Sequence, residues 1–291
     1  MNPTKSKVAI CGAGTMGAQI AFHCALKGYT VTLYDINAGQ LDRADSLLHD
    51  LMEKKLAKGK ITQTEVDQAF ARLRYETSLE QTCSNASLII EAIIEDLKAK
   101  KKLFSQISSY APKEAILATN SSSIVSSKLA SEVNNPSRLC NIHFFNPALV
   151  LPLVEVVKGE HTSENTVDRV LKFVESIDKT PVRLEKEIFG FITNRILAAI
   201  FDEAISLYEN GIADFTQIDT AVKAGLNHPL GPFELLDLTG IDVNYGIKVL
   251  EAEDSGDPSK GPSQTLTRLY EAGHLGRKSG QGFYTYDKEQ K

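Results

Sequence analysis

Two groups of residues in the 291-residue chain have the types and spacing to do chemistry. The first is His143 with Glu155. His143 lies at the end of the apolar run Leu139 to Phe144 and is followed by Phe145-Asn146-Pro147, where Asn-Pro disfavours helix. Glu155 sits among Leu153, Val154, Val156 and Val157. Burying an acid there is costly unless it is paired, and an imidazole is a natural partner. A carboxylate beside an imidazole fixes its tautomer and raises its basicity, which is what a general base requires. The residues alone leave open a satisfied core histidine beside an unrelated surface acid.

The second group is Gly12-Ala13-Gly14-Thr15-Met16-Gly17, a G-x-G-x-x-G, with Asp35 closing the strand that follows. Gly12 permits a tight turn, Gly14 lets backbone approach a pyrophosphate, and Gly17 lets a helix pack close to a sheet. The free N–H groups and dipole of that helix then hold phosphate. Asp35 can accept hydrogen bonds from both adenosine ribose hydroxyls and would repel a 2′-phosphate. The chemistry is dinucleotide binding, with NAD favoured over NADP. Without its flanks the glycine pattern would be an ordinary tight turn.

Those flanks are legible. Val8-Ala9-Ile10 is short, apolar and β-prone. Ile20, Ala21, Cys24, Ala25 and Leu26 share a helical face that stops at Gly28, and Tyr29 to Tyr34 form a second strand. Residues 38–71 read as a helical hairpin broken at Gly59-Lys60, its second helix opened by a capping box of Thr62 and Glu65. Strands resume at Leu73 to Tyr75, Leu88 to Ile90, Ile116 to Ala118 and Leu139 to Phe144, with a charged helix from Asp96 to Tyr110. Such short β-rich runs, with helices between them, are what a parallel doubly wound sheet requires. The loops at Ala92 to Glu95 and Thr119 to Ser123 would lie at its carboxyl edge, beside the cofactor. After a last strand at Thr180 to Leu184 the texture becomes helical from Ile188. The fold class is therefore α/β: a Rossmann-type doubly wound sheet with a helical hairpin insertion, over 1–186, followed by an all-helical C-terminal domain, over 187–291.

Hydrophobic content is 42%, net charge is −5 and the sequence pI is about 5.8. No basic excess points to nucleic acid or an anionic membrane, and no apolar run approaches membrane-spanning length. The first strand starts near Lys7, which leaves no room for a leader ahead of it and sets the expectation of a cytoplasmic protein. Cys11, Cys24, Cys83 and Cys140 are scattered and read as buried reduced thiols, not disulfides or metal ligands. Lys54, Lys55, Lys58 and Lys60 cluster near the hairpin tip, as a solvated helix end or as a seat for an anionic tail.

Taken together, these residues resemble the L-3-hydroxyacyl-CoA dehydrogenase family, including its short bacterial 3-hydroxybutyryl-CoA members. The resemblance runs through the glycine loop with Asp35, Glu91-Ala92-Ile93-Ile94-Glu95, Asn120-Ser121-Ser122-Ser123, His143 to Pro147 and Leu153 to Val156. It continues through Gly190 to Arg195, His228 to Glu234 and Gly276 to Tyr284, and it sets the expectation of a form without the fused hydratase of the multifunctional members. It implies NAD-dependent oxidation of a 3-hydroxyacyl-CoA, with His143 as the base and Glu155 orienting it. It implies that Ser122 and Asn194 hydrogen-bond the reacting oxygens, and that Lys54 meets the CoA phosphates. Cofactor contacts carry over to Gly12 through Gly17, Asp35, Glu95, Lys100, Ser122 and Asn146. A homodimer through the helical domain is implied as well. Three departures stand out. Asn-Ser replaces the usual Asn-Thr at Asn120-Ser121, the serine near Leu47 is missing although Ser46 adjoins it, and Ala148-Leu149-Val150-Leu151-Pro152 replaces Val-Pro-Val-Met-Lys. The last keeps open a relative that oxidises a free hydroxy acid such as gulonate; a non-catalytic NAD-binding protein is the third reading.

Overall fold

In the computed structural model, residues 6–287 are described. The chain enters through β1 (Lys7–Cys11), turns over the glycine loop into α1 (Thr15–Leu26), and returns as β2 (Thr30–Tyr34). The hairpin follows as α2 (Ala38–Ala57) and α3 (Gln63–Arg72). Thr62 caps α3 by accepting from the Glu65 amide, and Glu65 reciprocates, as the pattern requires. Next come β3 (Leu73–Glu76), α4 (Leu79–Cys83), β4 (Leu88–Glu91), α5 (Leu97–Tyr110) and β5 (Ile116–Thr119). Asp96 caps α5, so this charged helix starts one residue later than its sequence suggests. Then follow β6 (Leu139–Phe144), β7 (Leu153–Val157), α6 (Glu164–Ser176) and β8 (Thr180–Leu184).

Among the described residues the eight strands form one sheet in the order β3-β2-β1-β4-β5-β6-β7-β8. The sheet is not wholly parallel: β6 and β7 pair antiparallel. Only residues 145–152 join them, too few for the crossover a parallel neighbour needs. Helices cover both faces. Val8 and Ile10 point to the side of α1 and α6, whereas Ala9 and Cys11 point to the side of α4 and α5. The order reverses direction between β1 and β4, which opens a crevice at the carboxyl ends of those strands.

Two compact units divide between Phe191 and Ile192. The second unit contains α7 (Thr193–Glu209), α8 (Phe215–Leu226), α9 (Pro232–Thr239), α10 (Ile241–Ser255) and α11 (Gln264–Glu271). Phe201, Ile205, Ile218, Phe233, Leu236 and Leu266 make its core. Two buried acids tie that core together. Asp219 accepts from the Phe233 and Glu234 amides and the Tyr284 hydroxyl. Asp237 accepts from the Phe283 and Tyr284 amides and the Tyr286 hydroxyl. The motifs His228 to Glu234 and Gly276 to Tyr284 therefore serve this knot. All four cysteines are free and buried. No helix among the described residues is long and apolar enough to cross a membrane.

Candidate active site

The site begins with a period of two. Along β4, β5 and β6 the side chains of Ile89, Leu117 and Leu139 share the α5 face of the sheet. Two residues on, the same face carries Glu91, Thr119 and Asn141, and then His143. Apolar strand interiors thus end in polar groups where the strands reach the carboxyl edge.

His143 and Glu155 are direct cross-strand partners of the antiparallel pair. His143 Nδ1 lies 2.9 Å from a Glu155 carboxylate oxygen. Glu155 is fully buried and His143 is 6% exposed. An ionised carboxylate only accepts, so Nδ1 carries the proton and Nε2 keeps its lone pair. The rings of Phe145 and Phe191 flank the imidazole at 4.4 and 5.6 Å between centroids. A short return loop, misfit for a parallel sheet, is what places the acid opposite the base.

Ser122 lies in the loop after β5. Its neighbours are tied down: Ser121 and Ser123 both donate their hydroxyls to Glu95. Asn141 donates to the Ser121 and Ile124 carbonyls, each at 3.2 Å, and accepts from the Ser126 amide. Asn120 accepts from the Phe144 amide, which fixes the loop against the end of β6. Burial alone would raise the Glu95 pKa, but Lys100 and the two serine hydroxyls outweigh it and hold the carboxylate below its ordinary range. Asn141 and Glu91 were not singled out from the sequence for any role. A polar residue within or at the end of an otherwise apolar strand, Asn141 in β6 and Glu91 in β4, was the available signal.

The glycine loop fits a dinucleotide. A Cβ on Gly12 would fall 2.5 Å from the Ala92 carbonyl oxygen, and its φ is +111°. A Cβ on Gly17 would strike the Gly12 carbonyl at 1.8 Å. Beside Gly14 there is open space, and no side chain caps the start of α1. The Ala13 and Asn37 amides donate to Asp35, one to each carboxylate oxygen. That leaves each oxygen a lone pair for a ribose hydroxyl. Thr15 and Met16 form the first turn of α1, Asn146 is exposed just past β6, and Glu95 stands at the crevice in front of Lys100. Lys100 itself is 1% exposed, held between Glu91 at 2.5 Å and Glu95 at 3.2 Å. It is therefore no exposed helix start, and it reaches the crevice through Glu95.

The remaining residues belong to other elements. Lys54 is exposed near the end of α2. Its neighbour Lys55 donates to the Leu149 carbonyl at 3.2 Å, and burial together with Lys60 lowers its pKa. Ser46 bonds back to the Asp42 carbonyl of its own helix. Asn194 belongs to the second unit, in the first turn of α7, where it lines a cavity of about 50 Å³ with Leu197, Phe201, Leu236 and Leu266.

A dinucleotide crevice with a buried imidazole–carboxylate pair on the same sheet edge suits an oxidoreductase that moves a hydride and a proton in opposite directions. Comparison with known proteins narrows the class. Residues 7–188 match the family model described as 3-hydroxyacyl-CoA dehydrogenase, NAD binding domain. Residues 190–286 match its C-terminal domain. A probable 3-hydroxybutyryl-CoA dehydrogenase of Bacillus subtilis is 36% identical, over 97% of this chain and 98% of its own. The 3-hydroxybutyryl-CoA dehydrogenase of Clostridioides difficile is 37% identical, over 97% of this chain and 100% of its own. The crystal structure of (S)-3-hydroxybutyryl-CoA dehydrogenase from Ralstonia eutropha superposes with a TM-score of 0.91 at 34% identity, covering 97% of this chain and 99% of that one. The chain belongs to the 3-hydroxyacyl-CoA dehydrogenase family, and NAD is its cofactor.

Proposed function

We propose that this enzyme interconverts short-chain L-3-hydroxyacyl-CoA and 3-ketoacyl-CoA, with 3-hydroxybutyryl-CoA and acetoacetyl-CoA as the working pair. The single observation that carries the chemistry is the buried pairing of His143 with Glu155 at 2.9 Å. The short chain rests on the relatives named 3-hydroxybutyryl-CoA dehydrogenases.

In the oxidation, His143 Nε2 takes the proton of the 3-hydroxyl as the C3–H bond breaks and the C3–O double bond forms. Bound NAD supplies the hydride acceptor at its nicotinamide. Glu155 keeps Nδ1 protonated and stabilises the imidazolium that results. In the reverse direction the same imidazolium returns its proton to the ketone oxygen. The Ser122 hydroxyl and the Asn194 amide hold and polarise that oxygen, so they position and do not react. Gly12 through Gly17 hold the pyrophosphate, with Asp35 on the adenosine ribose and Glu95, Lys100, Ser122 and Asn146 toward the other end of NAD. Lys54 meets the CoA phosphates.

The second unit supports a homodimer. Ile196, Ile212 and Leu226 are 59%, 70% and 65% exposed, which a second copy would cover. Light scattering would give the mass.

The test of substrate class is NADH oxidation with acetoacetyl-CoA, a longer 3-ketoacyl-CoA and free acetoacetate. The reading expects saturable turnover with the thioesters, fastest with acetoacetyl-CoA. Turnover of the free acid at a comparable rate would overturn it.

A further inference from the structure

Glu91 ends β4 at the point where the strand order reverses, beside the glycine turn. The Ala92 amide donates to the Cys11 carbonyl, and the Ala92 oxygen is the atom that leaves no room for a Cβ on Gly12. Glu91 is wholly buried, yet three segments converge on its carboxylate. One oxygen accepts from the Ile93 amide at 2.7 Å and from the Lys100 ammonium at 2.5 Å. The other accepts from the Thr119 hydroxyl at 2.7 Å. Thr119 in turn accepts from the Ser121 amide at 3.2 Å.

Lys100 continues the chain of contacts. Its ammonium spans from Glu91 to Glu95, whose side chain is 35% exposed. Glu95 collects the Ser121 and Ser123 hydroxyls and so brackets Ser122. A buried ion pair adds little stability compared with apolar residues of similar volume. What this one does is orient a carboxylate at the crevice and a loop beside it.

We propose that Glu91 is a positioning residue of the cofactor site. It fixes Lys100, and Lys100 fixes Glu95 and with it the loop that presents Ser122. The proposal rests on the assignment of NAD to this crevice. It predicts that Glu91 acts on NAD affinity through Lys100 and not independently.

The test is a fluorescence titration with NADH on Glu91→Gln, Lys100→Met and the double variant, with circular dichroism confirming that each is folded. Glu91→Gln and Lys100→Met should each raise the Kd for NADH by about tenfold, and the double variant should be no weaker than Lys100→Met alone. The KM for the thioester, which meets the same Ser122 loop, should rise by a smaller factor than the Kd for NADH. A folded Glu91→Gln with the wild-type Kd would overturn the proposal, as would single effects that multiply in the double variant. Should a single variant fail to fold, Glu91→Met with Lys100→Met replaces the ion pair by an apolar one. That protein should fold and bind NADH weakly; wild-type affinity in it would overturn the proposal. Failure of the wild-type chain to bind NADH would overturn the cofactor site itself, and the relay with it.

Discussion

Glu155 sets both the tautomer of His143 and the stability of its charged form, because it is the residue bonded to Nδ1. Glu155→Gln keeps the volume but removes the charge. The expected outcome is a fall in kcat of about 10²-fold or more, with little change in NADH affinity, read by steady-state kinetics beside an NADH titration. A near-normal kcat would contradict the pairing's role. At this scale the sequence offered more for the dyad than for its surroundings. An acid inside Leu153 to Val157 demands a partner, and a histidine closes the neighbouring strand. Lys100 gave no such signal, since Lys98, Lys101 and Lys102 share its helix and its partners Glu91 and Glu95 are met only in the fold. Ser122 and Asn194 were reached only through the family resemblance, because a loop hydroxyl and a helix-start amide are common everywhere.

At the scale of elements, the β1–α1 turn has no room for a side chain at Gly12. Gly12→Ala would force a side chain into φ +111° and against the Ala92 carbonyl. It should cost on the order of 1–3 kcal/mol of stability and abolish NADH binding, read by urea unfolding and by titration. Wild-type NADH affinity would contradict the close approach. A second prediction concerns the contact of α1 with the end of α6. His23 Nε2 sits 2.8 Å from the Ile177 carbonyl. Burial first, then Lys179, with Lys27 and Lys55 adding, lowers its pKa from 6.5 to about 4. The unfolded chain therefore binds the proton that the folded chain refuses, and stability is lost as pH falls from about 6.5 toward 4. His23→Gln retains a donor for the carbonyl without titrating, so its urea midpoint should fall less steeply across that window. Parallel pH profiles would contradict this. The elements themselves were largely readable: β6 and β8 match their apolar runs residue for residue. Helix α6 was passed over although Ser163 caps it and Val167, Val170, Phe173 and Val174 form its buried face. The run Leu153 to Val157 reads as the strand it is, but its antiparallel direction does not follow from composition.

For the molecule as a whole, two buried acids tie the segments of the second unit together. Asp237→Ala would strand the Phe283 and Tyr284 amides and the Tyr286 hydroxyl. The loss should exceed about 2 kcal/mol and appear as a lower melting temperature by calorimetry. NADH affinity should stay within about twofold below the transition, since the residues proposed for the cofactor lie in the first unit. An unchanged melting temperature would contradict the knot. From the sequence, this unit showed only helices and turns; its acids were invisible because their partners lie tens of residues away.

The central claim is that a NAD-dependent dehydrogenase works through His143 as its base. The most direct measurement compares wild type and His143→Gln in NADH oxidation with acetoacetyl-CoA, each preparation titrated with NADH beforehand. The account predicts equal NADH affinity and a loss of turnover of about 10²–10⁴-fold in the variant. Turnover within about tenfold of wild type, at equal NADH occupancy, would contradict it.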